Sequence, residues 1–169
     1  MKILKWILFV FLIFFVQMQF ALFNVPLNLV LVIVYAFGLK TLEKSKTDKS
    51  FSKYSGAGSE IKSAAFGASV GLLEDIIAGG ILGPAFLSKG IIGFLTIVIF
   101  TDIVFRWTPL IGIIAIITLT VLDGIIVTGL HVLFAGISIN YLKELLILFM
   151  QAILNIPFGI IFRPRPRGA

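Results

Sequence analysis

Two adjacent carboxylates, Glu74 and Asp75, lie inside GASVGLLEDIIAGGILGPAFLSKGIIGF, a stretch otherwise made of apolar residues and glycine steps. Gly67, Gly71, Asp75 and Gly79 recur every four residues, so a helix sets them on one slowly drifting face, with Glu74 about 100° away around the axis. Neighbouring side chains that diverge by that angle make a poor general acid/base pair. No nucleophile elbow, Walker-type phosphate loop or His-Glu-x-x-His helix is expected, and so no catalysis. A carboxylate left bare at a bilayer centre costs about 2.5 to 3.5 kcal/mol, so such a group faces a helix partner or a cavity. Small residues beside it let a second backbone come close. Two readings are open. Asp75 caps or hydrogen-bonds within a helix bundle, or Gly67, Gly71, Glu74, Asp75, Gly79 and Gly83 form a contact surface for a protein partner.

Two further polar stripes follow. Thr120, Gly124, Thr128 and His131 fall along one side of a helix, with Asp123 adjoining. Glu144, Leu148, Gln151 and Asn155 keep i, i+4, i+7, i+11 spacing, which turns Gln151 and Asn155 inward. A small-molecule pocket would draw on Asp75, Asp123, His131, Gln151 and Asn155. The competing role is interhelical hydrogen bonding, worth roughly 0.6 kcal/mol per contact. The chain has no Cys and a single His, so neither disulfides nor a structural zinc site is expected, and no metal or cofactor.

The elements that must carry these groups follow from composition. Of 169 residues, 59% are apolar and 13% charged, and the mean hydropathy is +1.13. That leaves too little polar surface for a water-soluble globule. The expectation is a single all-α integral membrane domain over residues 1–169, a polytopic helix bundle with about six transmembrane helices of about 20 residues each. The spans are read as 6–23, 25–42, 61–82, 85–101, 109–130 and 141–162. A tight Asn24-Val25-Pro26 turn joins the first two. The apolar N-terminus lacks a small-x-small cleavage motif and reads as a retained signal anchor. The basic segment 43–60 reads as a mobile cytoplasmic loop, at most weakly helical. Pro157 is expected to kink the sixth span. With a cytoplasmic N-terminus, twelve Lys and Arg fall on the inner side, and only Lys89 and Lys143 on the outer. The positive-inside rule therefore places both termini in the cytoplasm. No aromatic-interleaved basic patch points to nucleic acid, and the basic loop and arginine tail suit membrane lipids.

The order of features resembles a known family. A basic start, a first span ending in glutamines and Pro26-Leu27-Asn28-Leu29 opening the second are followed by a basic loop. Then come Gly67-x-x-x-Gly71-Leu72-Leu73-Glu74-Asp75 and Gly79-Gly80-Ile81-Leu82-Gly83-x-Ala85. Together these are similar to the bacterial rod shape-determining protein MreD family, over nearly the whole chain. Pro26-Leu27-Asn28 departs from the Pro-Asp that the family often has there. The resemblance implies a non-enzymatic scaffold of the cell-elongation machinery in the inner membrane, binding an MreC-like membrane protein. It further implies association with MreB, RodA and a penicillin-binding transpeptidase, and a role in rod shape and peptidoglycan synthesis. The family is also similar in architecture to the substrate-binding components of energy-coupling-factor transporters. The rival expectation is therefore a membrane component that takes up a vitamin-like small molecule.

Overall fold

A computed structural model describes residues 11–17, 19, 27–47, 55–79, 81–103, 108–136 and 140–162. Every regular element among them is helical. The first helix, α1, is described over 11–17 and at 19. It is followed by α2 (Leu29–Thr47), α3 (Ser55–Ala78), α4 (Pro84–Val98), α5 (Pro109–Ala135) and α6 (Tyr141–Ile161). A π-helical turn, Ile99–Ile103, continues α4. The Asn24-Val25-Pro26 turn and the arginine tail lie outside the described residues.

Local chemistry sets the boundaries. Gly79, in the left-handed region at φ 64°, ends α3 just after Ala78, a conformation that glycine adopts without penalty. Pro84 occupies the first position of α4, where its missing N–H is no loss. At α5, Thr108 caps the N-terminus through its hydroxyl, which accepts from the Ile111 amide at 3.3 Å, and Pro109 follows. Gly136, with φ 58°, closes it. α6 begins at Asn140, whose side chain accepts from the Lys143 amide at 3.3 Å, and it runs on through Pro157.

The core is centred on α2. Val30, Leu31, Val34 and Tyr35 are wholly enclosed, and Leu31, Val34 and Tyr35 pack with Ile92, Ile97, Phe100, Ile116 and Leu119 from α4, the π turn and α5. The Tyr35 ring meets Phe100 edge-on at 6.0 Å between centroids. Phe14, Val30 and Val70 form a smaller cluster that joins α1, α2 and α3.

Around this core the outward surface is apolar. Leu110, Ile125, Leu133, Leu142, Leu145 and Phe149 are all exposed. Pro84–Thr101, Pro109–Phe134 and Leu142–Ile161 are long and apolar enough to cross a membrane, three helices among the described residues. Such a belt belongs in hydrocarbon rather than water.

The segment 43–60 departs, where it is described, from its reading as a loop that is at most weakly helical. α2 continues to Thr47 and α3 starts at Ser55. Lys and Glu are good helix formers, and Lys40 and Glu43 stand at the supportive three-residue spacing. Polarity marked where apolar periodicity stops, which is not where the helix stops.

Candidate functional site

The glycine steps of α3 have a physical use. A Cβ added at Gly67 would overlap the Lys89 carbonyl of α4, and one at Gly71 would overlap the Ala85 carbonyl. Gly93 of α4 sits in the same way on the Ser63 carbonyl of α3. The two backbones therefore touch along three turns, a close approach that only glycine permits. The face expected to receive a partner at Gly67 and Gly71 is thus covered by the chain's own α4.

Asp75 completes this joint. Its Oδ2 accepts from the backbone amides of Gly83 at 2.9 Å and Phe86 at 3.1 Å, and its Oδ1 from Ala85 at 3.0 Å. Gly83 has no side chain with which to cap α4, and the carboxylate arrives from the preceding helix instead. With Pro84 lacking an N–H and the Leu87 amide bonded to the Gly83 carbonyl at 2.9 Å, every donor in that first turn is satisfied. A negative charge is also favourable at the positive end of the helix dipole. Of the two readings of Asp75, the geometry is that of the cap.

Glu74 takes the other direction and enters a buried charged cluster. At its centre is Lys89, 1% exposed. The Lys89 ammonium donates to Asp123 Oδ1 at 2.8 Å and Oδ2 at 2.7 Å, and lies 3.5 Å from Glu74 Oε2. Asp123 also accepts from Asn28 Nδ2 at 2.7 Å and from the Ser88 hydroxyl. Asn28 turns its Oδ1 to the Leu31 amide at 3.0 Å, capping α2 while it holds the carboxylate. Gln17 reaches from α1, donating to Glu74 Oε1 at 3.4 Å and accepting from the Val30 amide at 3.2 Å. Five helices meet in one polar layer. No group of three or more potential metal-ligating side chains occurs among the described residues.

Lys89 corrects the charge reading. It was counted as an outer-side charge, yet its ammonium is enclosed between α3 and α5. A lysine four residues inside an apolar span needs an acid at matching depth. Glu74, eight residues before the end of its span, and Asp123, seven before the end of its own, were the available signal.

The remaining pocket candidates have separate engagements. Asn155 is fully enclosed on α6 and donates to the Thr120 hydroxyl at 3.1 Å, which in turn donates to the Ile116 carbonyl at 2.7 Å. Gln151 is half-buried and Glu144 exposed. The Nδ1 of His131 lies 2.9 Å from the Val127 carbonyl of its own helix. Gly79 and Gly83 stand open, with nothing within 4 Å of an added Cβ.

The reading that no Gly-x-Ser-x-Gly elbow is present needs one correction. Gly67-Ala68-Ser69-Val70-Gly71 spells the serine-nucleophile pattern. That pattern works at a sharp strand-to-helix turn. Here Ser69 is exposed in the middle of α3 and donates to the Ala65 carbonyl at 2.8 Å, a helical setting rather than a strand-to-helix turn.

No family model, curated protein or solved structure matches the chain. Fold and site together define an all-helical protein with bilayer-length apolar helices and a charged layer closed on itself.

Proposed function

We propose that this chain is a non-enzymatic membrane scaffold of the bacterial cell-elongation machinery, an MreD-type protein of the inner membrane that holds an MreC-like partner. Six spans with both termini cytoplasmic complete the proposal, and MreB, RodA and a transpeptidase join through the same assembly. The observation that carries it is that the motif behind the resemblance has one coherent use. Gly67, Gly71 and Asp75 lock α3 to α4, and Gly79 and Gly83 shape the open corner between them. A motif spent on building a rigid hairpin suits a protein whose product is a surface.

That surface is the hairpin corner. The glycine face is filled by α4, whereas Gly79 and Gly83 are unobstructed and Leu82 is 62% exposed. Positive-inside charge places this corner outside the cytoplasm, where a partner with an extracytoplasmic domain meets it. Co-purification of the MreC-like partner from native membranes tests this. Leu82→Arg is expected to lose the partner while its membrane level stays that of the wild type; undiminished co-purification would overturn the docking corner.

The rival reading, uptake of a vitamin-like molecule, draws on the buried polar layer. Lys89 and Asn28 both donate to Asp123 there, which leaves few groups free to recognise a ligand. A ligand retained in native mass spectrometry would favour it.

A further inference from the structure

The glycine contacts divide the described helices into two tightly joined units. In the first, α3 and α4 touch at Gly67, Gly71 and Gly93, and Gly38 of α2 fits against Thr96 and Ser63. In the second, Leu148 of α6 fills the space over Gly124 of α5, and Gly159 sits on the Gly112 carbonyl. α6 packs substantially on α5 alone. At Gly124, Gly129, Gly136 and Gly159 the nearest contacts, where any lie within 4 Å of an added Cβ, stay within α5 and α6. The units meet through apolar side chains and through one carboxylate, Asp123, on which Lys89, Ser88 and Asn28 converge.

Lys89 has a second acid within reach, and it belongs to its own unit. Glu74 Oε2 is 3.5 Å from the ammonium and has no hydrogen-bond partner. Asp123 is thus the close partner across the boundary, and Glu74 the loosely held one on the near side. A buried cation stripped of its counter-charge is strongly disfavoured. A second acceptor on the same rigid unit removes that obstacle to separation.

We propose that Lys89 is an exchangeable clasp: the α5–α6 hairpin swings away from the α2–α4 unit as Lys89 passes from Asp123 to Glu74. The Ser88 hydroxyl and Asn28 amide lose Asp123 in the same movement, while the Asn28 cap on Leu31 stays within the first unit. Asp123 leaves with α5 and faces the opened boundary, where water reaches it. Two discrete arrangements, each with Lys89 paired, give a two-state element rather than a continuous loosening. The proposal does not rest on the identity of any partner.

The cysteine-free chain makes the test direct. Spin labels are placed on exposed pairs of the full-length protein in nanodiscs: Ile91 with Ile125 across the boundary, Ile61 with Ile91 inside the first unit, and Ile125 with Ile153 inside the second. Distances are read by double electron–electron resonance. Wild type and Glu74→Gln are expected to give one distance for the 91/125 pair. Asp123→Asn is expected to add a second, longer 91/125 distance, with the two internal pairs unchanged. The combined Glu74→Gln/Asp123→Asn variant is expected to lose that second distance. Ser88→Ala, which removes one tie to Asp123 without altering charge, should move the 91/125 pair in the same direction and keeps the test available if Asp123→Asn fails to fold. An unchanged 91/125 pair in both Asp123→Asn and Ser88→Ala, equal broadening of all three pairs, or full opening of the combined variant would overturn the clasp.

Discussion

At the scale of single residues, the charged layer explains which substitutions this protein tolerates. Lys89→Met leaves Glu74 and Asp123 facing each other without a cation. Removing one partner of a buried ion pair costs about 3 to 5 kcal/mol, whereas replacing the whole pair with apolar groups is often neutral. Lys89→Met is therefore expected to lower thermal stability in detergent sharply, and Lys89→Met/Asp123→Leu to recover much of it. A single variant as stable as the wild type would show that the layer is not held by charge. Asp75 behaves differently, since its three bonds are all to backbone amides. Asp75→Asn loses an acceptor oxygen and the charge at the helix end, a loss of about 1 to 2 kcal/mol by analogy with other N-caps. The same melting experiment checks it.

The divergence of Glu74 and Asp75 was legible in the sequence, because adjacent helical positions point about 100° apart. The inward turn of Asn155 was equally legible from its spacing. Lys89 was not. A residue count along the chain assigns a lysine near a span end to the nearest water, and only depth matching between distant helices reveals the two acids that bury it. Gln17, Asn28 and Ser88 escaped for a related reason, since each becomes informative only once Asp123 or Glu74 is known to be beside it.

Among elements, the α3–α4 joint is the most constrained. At Gly71 a larger side chain meets the Ala85 carbonyl, which cannot rotate away as a flexible side chain would. Gly71→Leu is expected to destabilise by about 3 kcal/mol, at the upper end of what overpacking brings. Gly129 lies in the interior of α5 with open space around its Cβ position. Gly129→Ala should accordingly raise stability by about 0.5 to 1 kcal/mol. Parallel thermal melts of the two variants decide whether contact or helix propensity governs each glycine. The start of α4 at Pro84 falls within one residue of its reading at 85, whereas α3 stops at Ala78, four residues short of the 82 read from apolar pattern, because Gly79 turns left-handed there. The C-terminal end of α2 and the N-terminal end of α3 could not be read, because the helices run past the apolar stretch into lysine-rich sequence, where hydropathy carries no signal of helix length.

For the whole molecule, three helices qualify as membrane-crossing by length and hydropathy among the described residues. α3 falls short because it carries Glu60, Lys62, Glu74 and Asp75 along its length, with glycine, alanine and serine taking much of the rest. The proposed topology is checked with single cysteines in the cysteine-free background. Leu82→Cys and Lys143→Cys, both exposed, should react with a membrane-impermeant maleimide on intact cells, and Lys62→Cys only after permeabilisation. Labelling of position 62 from outside would invert the arrangement.

The bond from Asp75 across the turn bears on how the protein enters its membrane. Until α4 arrives, the Asp75 carboxylate has no amides to donate to it, and without α3 the Gly83, Ala85 and Phe86 amides at the start of α4 have no acceptor. Neither segment is well suited to hydrocarbon in isolation. The pair is therefore expected to leave the insertion machinery together, as one preassembled unit, with biogenesis coupled across the short turn between them.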